Sequence, residues 1–243
     1  QYKNVKCILS PKNLGMGAGN NLGLKHIKTD YVFILNPDVI LKKNTIEEII
    51  IASKKIENFG LIAPISDNLK YPNYTISEKN ELHNSIEPFK VESVDGFAMI
   101  LNLKKLRKID QFKNNNILDE NIFLYLENDD LCKRINEFEN IFIVPKSKIN
   151  HIGASGVNKK YIEQIELSRN WHWIWSKFYF NKKHYGSLKA IFECLPSFLS
   201  AILKVLFYFL INKKKKRIYF HRVLGFLNAL LGKKSYHRPK IDN

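Results

Sequence analysis

The run Tyr31-Val32-Phe33-Ile34-Leu35 stops abruptly at Asn36-Pro37-Asp38. Five successive apolar residues, β-branched, leucine or aromatic, predict a strand buried on both faces of a sheet. Proline cannot donate to a ladder and pushes the residue before it to an extended conformation, so the strand ends there. Asp38 is then delivered on a turn past the C-terminal end of a central strand. At that edge open α/β sheets bind ligands. A carboxylate on so rigid a support suits a divalent cation held beside a phosphate. It suits an ordinary turn as well, and these three residues alone do not separate the two.

The neighbouring segments fit a sheet of this kind. Val5 to Leu9 reads as a short strand running into Asn13-Leu14-Gly15-Met16-Gly17-Ala18-Gly19-Asn20-Asn21-Leu22-Gly23. Glycines let backbone amides approach a ligand, and a following helix over about Ala18 to Ile27 turns its N-terminus to an anion. The G-x-G-x-G spacing is not the dinucleotide fingerprint, and Asn36 stands where a ribose-binding acid belongs. Asn44 or Thr45 can cap a helix reaching Ala52, and Gly60 to Ile65 reads as a further strand. Strand and helix alternate as in a parallel α/β sheet. Residues 66–90 read as a long surface loop, and Asp95-Gly96 separates two apolar runs as a turn or a substrate-lining element.

Glu127-Asn128-Asp129-Asp130 follows an aromatic run and opens a helix. Acids at a helix N-terminus are favourable with its dipole. Three carboxylates in four residues also repel, and such a cluster answers to a cation or holds a base of raised pKa. Ile141 to Val144 reads as a strand ended by Pro145, followed by a turn at His151. Cys7, Cys132 and Cys194 are too scattered for a metal site or a disulfide framework, which fits a reducing compartment.

Charge divides the chain. Residues 181–243 hold 14 Lys and Arg against two acids, a net +12 of the chain's +16. Within this tail Leu195 to Ile211 is almost wholly apolar, and its few polar residues, Ser197, Ser200 and Lys204, form one narrow stripe. Lysines flank both ends. This pattern predicts an amphipathic helix lying in an anionic membrane interface, with a transmembrane hairpin as the other arrangement. Apolar stretches between the basic clusters argue against nucleic acid as the partner.

Taken together, these motifs resemble the family 2 glycosyltransferases of the GT-A fold, the bacterial rhamnosyltransferase-like members in particular, over about Asn4 to Tyr185. Asn13-x-Gly15 with Asn20-Asn21-x-Gly23 is similar to the family's loop near the donor, and Asn36-Pro37-Asp38 to a variant of its metal-binding D-x-D. Gly96 matches a glycine on the acceptor side. Leu118-Asp119-Glu120 and Tyr125 to Arg134 are similar to its F-D-E and Y-x-E-D-x-D-L-C-x-R segments, and His151-x-Gly153-x-Ser155 to its histidine turn.

The resemblance implies a mostly parallel, Rossmann-like GT-A sheet flanked by helices over residues 1–180, and a basic, membrane-associating helical tail over 181–243. It implies a metal-dependent, inverting transfer from a nucleotide-diphosphate sugar to a glycan or lipid-linked acceptor, in polysaccharide synthesis at the cytoplasmic face of a bacterial inner membrane. Asn13, Gly15, Asn20, Asn36 and Asp38 would bind the donor, Asp38 and His151 would hold Mg²⁺ or Mn²⁺, and Asp95 and Gly96 would face the acceptor. The family's basic Asp is Asn128 here, which cannot take a proton, so Glu127 or Asp130 would act instead. The first strand, helix and strand of the family find no counterpart, so the chain reads as truncated at its N-terminus. The alternative is an inactive remnant or a non-catalytic, membrane-bound partner of another transferase. A dinucleotide oxidoreductase would rest on the glycine loop alone.

Overall fold

Two strands with almost no polar residues, Leu61–Ser66 (β3) and Ala98–Asn102 (β7), form the middle of the N-terminal sheet. A computed structural model describes residues 3–68, 70–76, 85–153 and 159–239. The chain divides into two units, residues 1–119 with 128–155, and residues 120–127 with 156–243.

In the first unit the strand Tyr31–Leu35 (β1) pairs antiparallel with β7, and β7 pairs antiparallel with β3. β3 runs parallel to Ile141–His151 (β8), which pairs antiparallel with Val39–Leu41 (β2) and with Phe89–Lys90 (β5). The order is β1-β7-β3-β8-β2. The sheet is therefore mixed and not mostly parallel. β1, β3 and β8 do run the same way, as the alternation implies, but β7 is inserted between β1 and β3 in the opposite sense. β1 also lies at the edge of the sheet and not at its centre, since among the described residues no strand pairs with its other side. Tyr31 and Leu35 at its ends are exposed accordingly.

Period-two alternation sorts the strand residues onto two faces. On one, Ile34, Leu61, Ala63, Met99, Leu101 and Ile143 meet Leu24 of the helix Met16–Leu24 (α1) and Leu131, Cys132 and Ile135 of the helix Glu127–Ile135 (α4). On the other, Ile62, Ile100 and Val144 pack against Ile49 and Ala52 of the helix Thr45–Lys55 (α2). The short pair Tyr74–Thr75 (β4) and Ser93–Val94 (β6) lies beside this sheet in sequence, and Leu103–Leu106 (α3) follows β7 directly.

Two further expectations are corrected. Val5 to Leu9 is not a strand: Val5 and Leu9 are exposed, and no described neighbour offers them a ladder. Pro145 does not end β8, which continues to His151. The β3–β8 register shifts after Pro64↔Val144 to Ile65↔Lys148, so Pro145 to Ser147 form a bulge. A residue without an N–H is tolerated at a bulge because no ladder donor is needed there. Ser155 and most of the polar loop after Ile76 lie outside the described residues.

The second unit contains three long helices, Ile162–Tyr185 (α5), Ser187–Ile211 (α6) and Lys213–Leu230 (α7). Trp171, Ile174, Trp175 and Phe178 of α5 share one core with Ala190 and Cys194 of α6 and Phe226 and Ala229 of α7. The helical unit thus begins before residue 181, because α5 supplies most of the large side chains that hold it together. α6 is long and apolar enough to cross a membrane.

Candidate functional site

The turn after β1 is set by Val39 N donating to Asn36 O at 3.2 Å and by Asn36 N donating to Phe97 O at 2.9 Å. Asn36 thus bonds through its backbone, at the point where β1 and β7 separate. The next two residues swing Asp38 toward β8. The β2–β8 register pairs Val39 with His151, and Ile152 N donates to Asp38 O at 3.0 Å. As a result Asp38 Oδ1 lies 3.4 Å from His151 Nε2. The Phe97 ring stacks on the imidazole at 4.1 Å between centroids and fixes its plane.

Next to this pair stands a second acidic group. Burial raises the Asp95 pKa, the Asp129 charge raises it further, and His151 opposes both. Burial likewise raises the Asp129 pKa, against a hydrogen bond from the Ser93 hydroxyl that favours the ionised form. Asp95 still reaches solvent. Asp95 N donates to Asn73 O at 2.9 Å, and Asn73 in turn donates its Nδ2 to Pro64 O and accepts from Ser66 N. The acidic turn is therefore anchored to the end of β3.

Gly96 has a steric reason to be glycine. A Cβ on it would lie 2.6 Å from Met16 Cε and 3.3 Å from Asn128 Cβ. It is the junction at which the start of α1, the first turn of α4 and the Asp95 turn meet. Asn128 donates its Nδ2 to Val94 O at 2.8 Å, so its side chain closes this junction as a donor.

The glycine loop gives a mixed result. Gly15 has φ 87°, a conformation that only glycine adopts cheaply, and Gly15 N donates to Asn13 Oδ1 at 3.0 Å. Asn13 is exposed and Asn20 half-buried, while Gly19 and Gly23 have no neighbour that would meet a side chain. The residue with a decisive contact set is Asn21. It is fully buried, donates to Asn116 Oδ1 and Leu118 O, and accepts from Ile117 N and Leu118 N. The doubled asparagine marked it in sequence, but only its burial separates its structural role from its neighbour.

Among the acids of α4 the structure redistributes the roles. Asp130 is 0% exposed and receives Arg134 Nε at 2.8 Å, while Arg134 also donates to Ile117 O. A carboxylate enclosed in such a pair supports the helix. Glu127 is 4% exposed, is the first residue of α4, and groups with the second unit. It follows Tyr125 and Leu126, both at positive φ (70° and 66°), a rare conformation for two successive residues with side chains. Sequence reasoning missed Asp129, because the motif comparison directs attention to its neighbours. The signal available was the spacing of three acids within four residues. Cys132 is buried, which pushes its thiol up to about 12 and leaves it unreactive.

Asp38 and His151 could supply an oxygen and a nitrogen donor to one cation. Among the described residues no group of three His, Cys, Asp or Glu converges to enclose a metal. A divalent ion at this pair would take its remaining ligands from phosphate and water, as Mg²⁺ commonly does. The residues fit a cation shared with a phosphate-bearing ligand.

Residues 1–110 match the glycosyl transferase family 2 model. This stretch contains the glycine loop, Asp38 and the Asp95-Gly96 turn, and with it the α/β fold supports a glycosyltransferase that takes a nucleotide-sugar donor and an acceptor. The comparison with curated proteins returned no match.

Proposed function

We propose that the first unit transfers a sugar from a nucleotide-diphosphate donor to a hydroxyl of a glycan or lipid-linked acceptor, with inversion. The reading is carried by the 3.4 Å approach of Asp38 and His151 beside the Asp95–Asp129 pair. Mg²⁺ or Mn²⁺ bound there would neutralise the leaving diphosphate. Asp38 and His151 orient that end of the donor, while the start of α1, with Asn13, Gly15 and Asn20, offers backbone and amide donors to the nucleotide side. Asp129 is the general base: its raised pKa lets it hold the proton it removes from the acceptor hydroxyl. The acceptor oxygen bonds to the anomeric carbon as the bond to the diphosphate breaks, and the electron pair leaves with the diphosphate. Asp95 shares the proton load beside it.

The outward-facing apolar side chains of α6 support a helix lying in a membrane interface, which would bring a lipid-linked acceptor to a surface glycan transferase. The decisive experiment measures Mn²⁺-dependent thermal shifts with UDP-, dTDP- and GDP-sugars, and transfer with the one that binds. Asp38→Asn should abolish the Mn²⁺-dependent shift, and Asp129→Asn should keep it while lowering kcat about 10²- to 10⁴-fold. Unchanged Mn²⁺-dependent binding in Asp38→Asn would sink the metal role. Undiminished turnover in Asp129→Asn would return the base to Glu127.

A further inference from the structure

We propose that the C-terminal end of the helical unit holds a binding site for a phosphate monoester carrying an apolar group. The site is a cavity of about 410 Å³ at the ends of α5 and α7. Trp175, Phe178 and Tyr179 form its apolar wall, and Lys182, Lys183, Lys233 and Lys234 stand around it. None of the described residues lining it is acidic.

The lysines are placed by structure and not by chance exposure. α7 ends in a left-handed glycine, Gly232 at φ 69°, with Gly232 N donating to Ala229 O and Lys233 N to Asn228 O. These two bonds close the helix as a Schellman motif and turn the chain back. Trp175 Nε1 then donates to Lys233 O at 3.0 Å and pins the Lys233-Lys234 pair beside the aromatic wall. Trp175 and Tyr179 stack at 5.1 Å, so the wall is rigid.

A simpler role for lysines at helix C-termini is to offset the helix dipole. The charges do not balance that way. Two C-termini present about −0.5 each, and the N-terminus of α6, which begins at the same end, returns about +0.5. Lys182, Lys233 and Lys234 alone, set against this, leave a positive excess. At the other end of the bundle, by contrast, Lys215 lies over the Tyr208 ring, Lys216 over Phe209, and Arg217 pairs with Glu163. Among the described residues Lys182, Lys233 and Lys234 have neither a carboxylate nor a ring as partner. Cations left open around an aromatic wall fit a dianionic head with an apolar body. A monoester offers that charge on one compact group, which a diester does not.

The test uses the whole chain and needs no transferase activity, so it stands or falls apart from the catalytic reading. Flotation compares phosphatidylcholine vesicles containing phosphatidic acid with vesicles matched in total charge by phosphatidylglycerol, and phenyl phosphate is titrated separately by tryptophan fluorescence. We expect phosphatidic acid to be preferred about tenfold, and the preference to vanish in Lys182→Gln/Lys233→Gln/Lys234→Gln while Lys213→Gln/Lys214→Gln/Lys215→Gln retains it. Retention of the preference against excess phenyl phosphate assigns the site to a lipid head group; displacement by it assigns the site to a soluble ester. Lys234→Glu alone serves if the triple variant does not fold. Equal binding to the two vesicles with no response to phenyl phosphate, or equal loss in the two triple variants, overturns the proposal and leaves a diffuse basic surface.

Discussion

α4 and α6 are built on opposite plans. In α4 the large apolar residues Leu131 and Ile135 are 0% exposed, and Asp130 and Arg134 join them only as a closed ion pair. In α6 it is the small residues, Ala190, Cys194 and Ala201, that face the bundle, while Leu188, Phe192, Leu199, Leu203, Leu206, Phe207 and Leu210 point outward. A helix in water buries its largest side chains because each is worth roughly 1.5–3 kcal/mol when removed from solvent. α6 gives up that gain against its own protein. The sheet unit is thus stabilised from within, whereas the helical unit leaves the largest side chains of α6 exposed.

The largest test of this contrast is truncation. Leu131→Ala should cost about 2–5 kcal/mol and collapse the sheet unit's thermal transition. Leu203→Ala/Leu206→Ala, at 66% exposure each, should leave Tm in detergent-free buffer nearly unchanged while weakening vesicle binding by about tenfold or more. Melting and flotation of the same samples check both. A loss of stability from the α6 pair comparable with that from Leu131 would show that this face is packed after all, and would break the comparison.

A second test uses pH, to which the units should respond in opposite directions. His172 is fully buried, its Nε2 donating to His237 O at 2.7 Å and its Nδ1 accepting from the Ser235 hydroxyl at 3.0 Å, and burial lowers its pKa to about 4. Its stabilisation is present above the unfolded value near 6.5 and is lost as pH falls toward about 4. That loss amounts to about 3 kcal/mol, removed from the helical unit. Asp95 and Asp129 have raised pKa values, so their contribution is complete below the ordinary carboxylate range and lost as pH rises through their folded values. Hydrogen exchange followed by unit between pH 4 and 7 should show α5 and α7 loosening on acidification while the β6–β7 turn tightens. The smallest expected effect belongs to the same pair: Asp129→Asn should raise Tm at neutral pH and lose that advantage in acid, since the variant removes a repulsion. A stability cost at neutral pH would place Asp129 in a structural role.

The sequence makes one half of this contrast easy to read and the other half hard. The strand ending at Asn36-Pro37-Asp38, the Asp95-Gly96 turn and the apolar run of α6 all carry local signals, and each adopts the local backbone form those signals imply. What pairs with β1 depends on a residue run 63 to 71 positions away, so neither its edge position nor the inserted β7 has a local mark. Pro145 misleads because a proline stop and a proline bulge look alike until the neighbouring strand is known. The acidic segment shows the same division. That it opens a helix is legible, but which carboxylate is enclosed by Arg134 and which is left beside Asp95 follows from a turn of roughly 100° per residue and from what stands opposite.

The pairing of β2 with β8 has a consequence for how this site tolerates change in chain length. Val39 faces His151 only while the count from Lys148 onward is kept, because side chains alternate and a slip of one residue turns the imidazole to the other side of the sheet. The bulge at Pro145 to Ser147 lies just upstream, where extra residues are already carried outside the ladder. A one-residue change of length at the bulge leaves the Val39–His151 register intact only if Ser147 keeps its hydrogen bond to Thr45 O, while one between Lys148 and Asn150 shifts that register directly. The bulge is the slack in the line that lets one end of β8 vary while the other keeps its appointment.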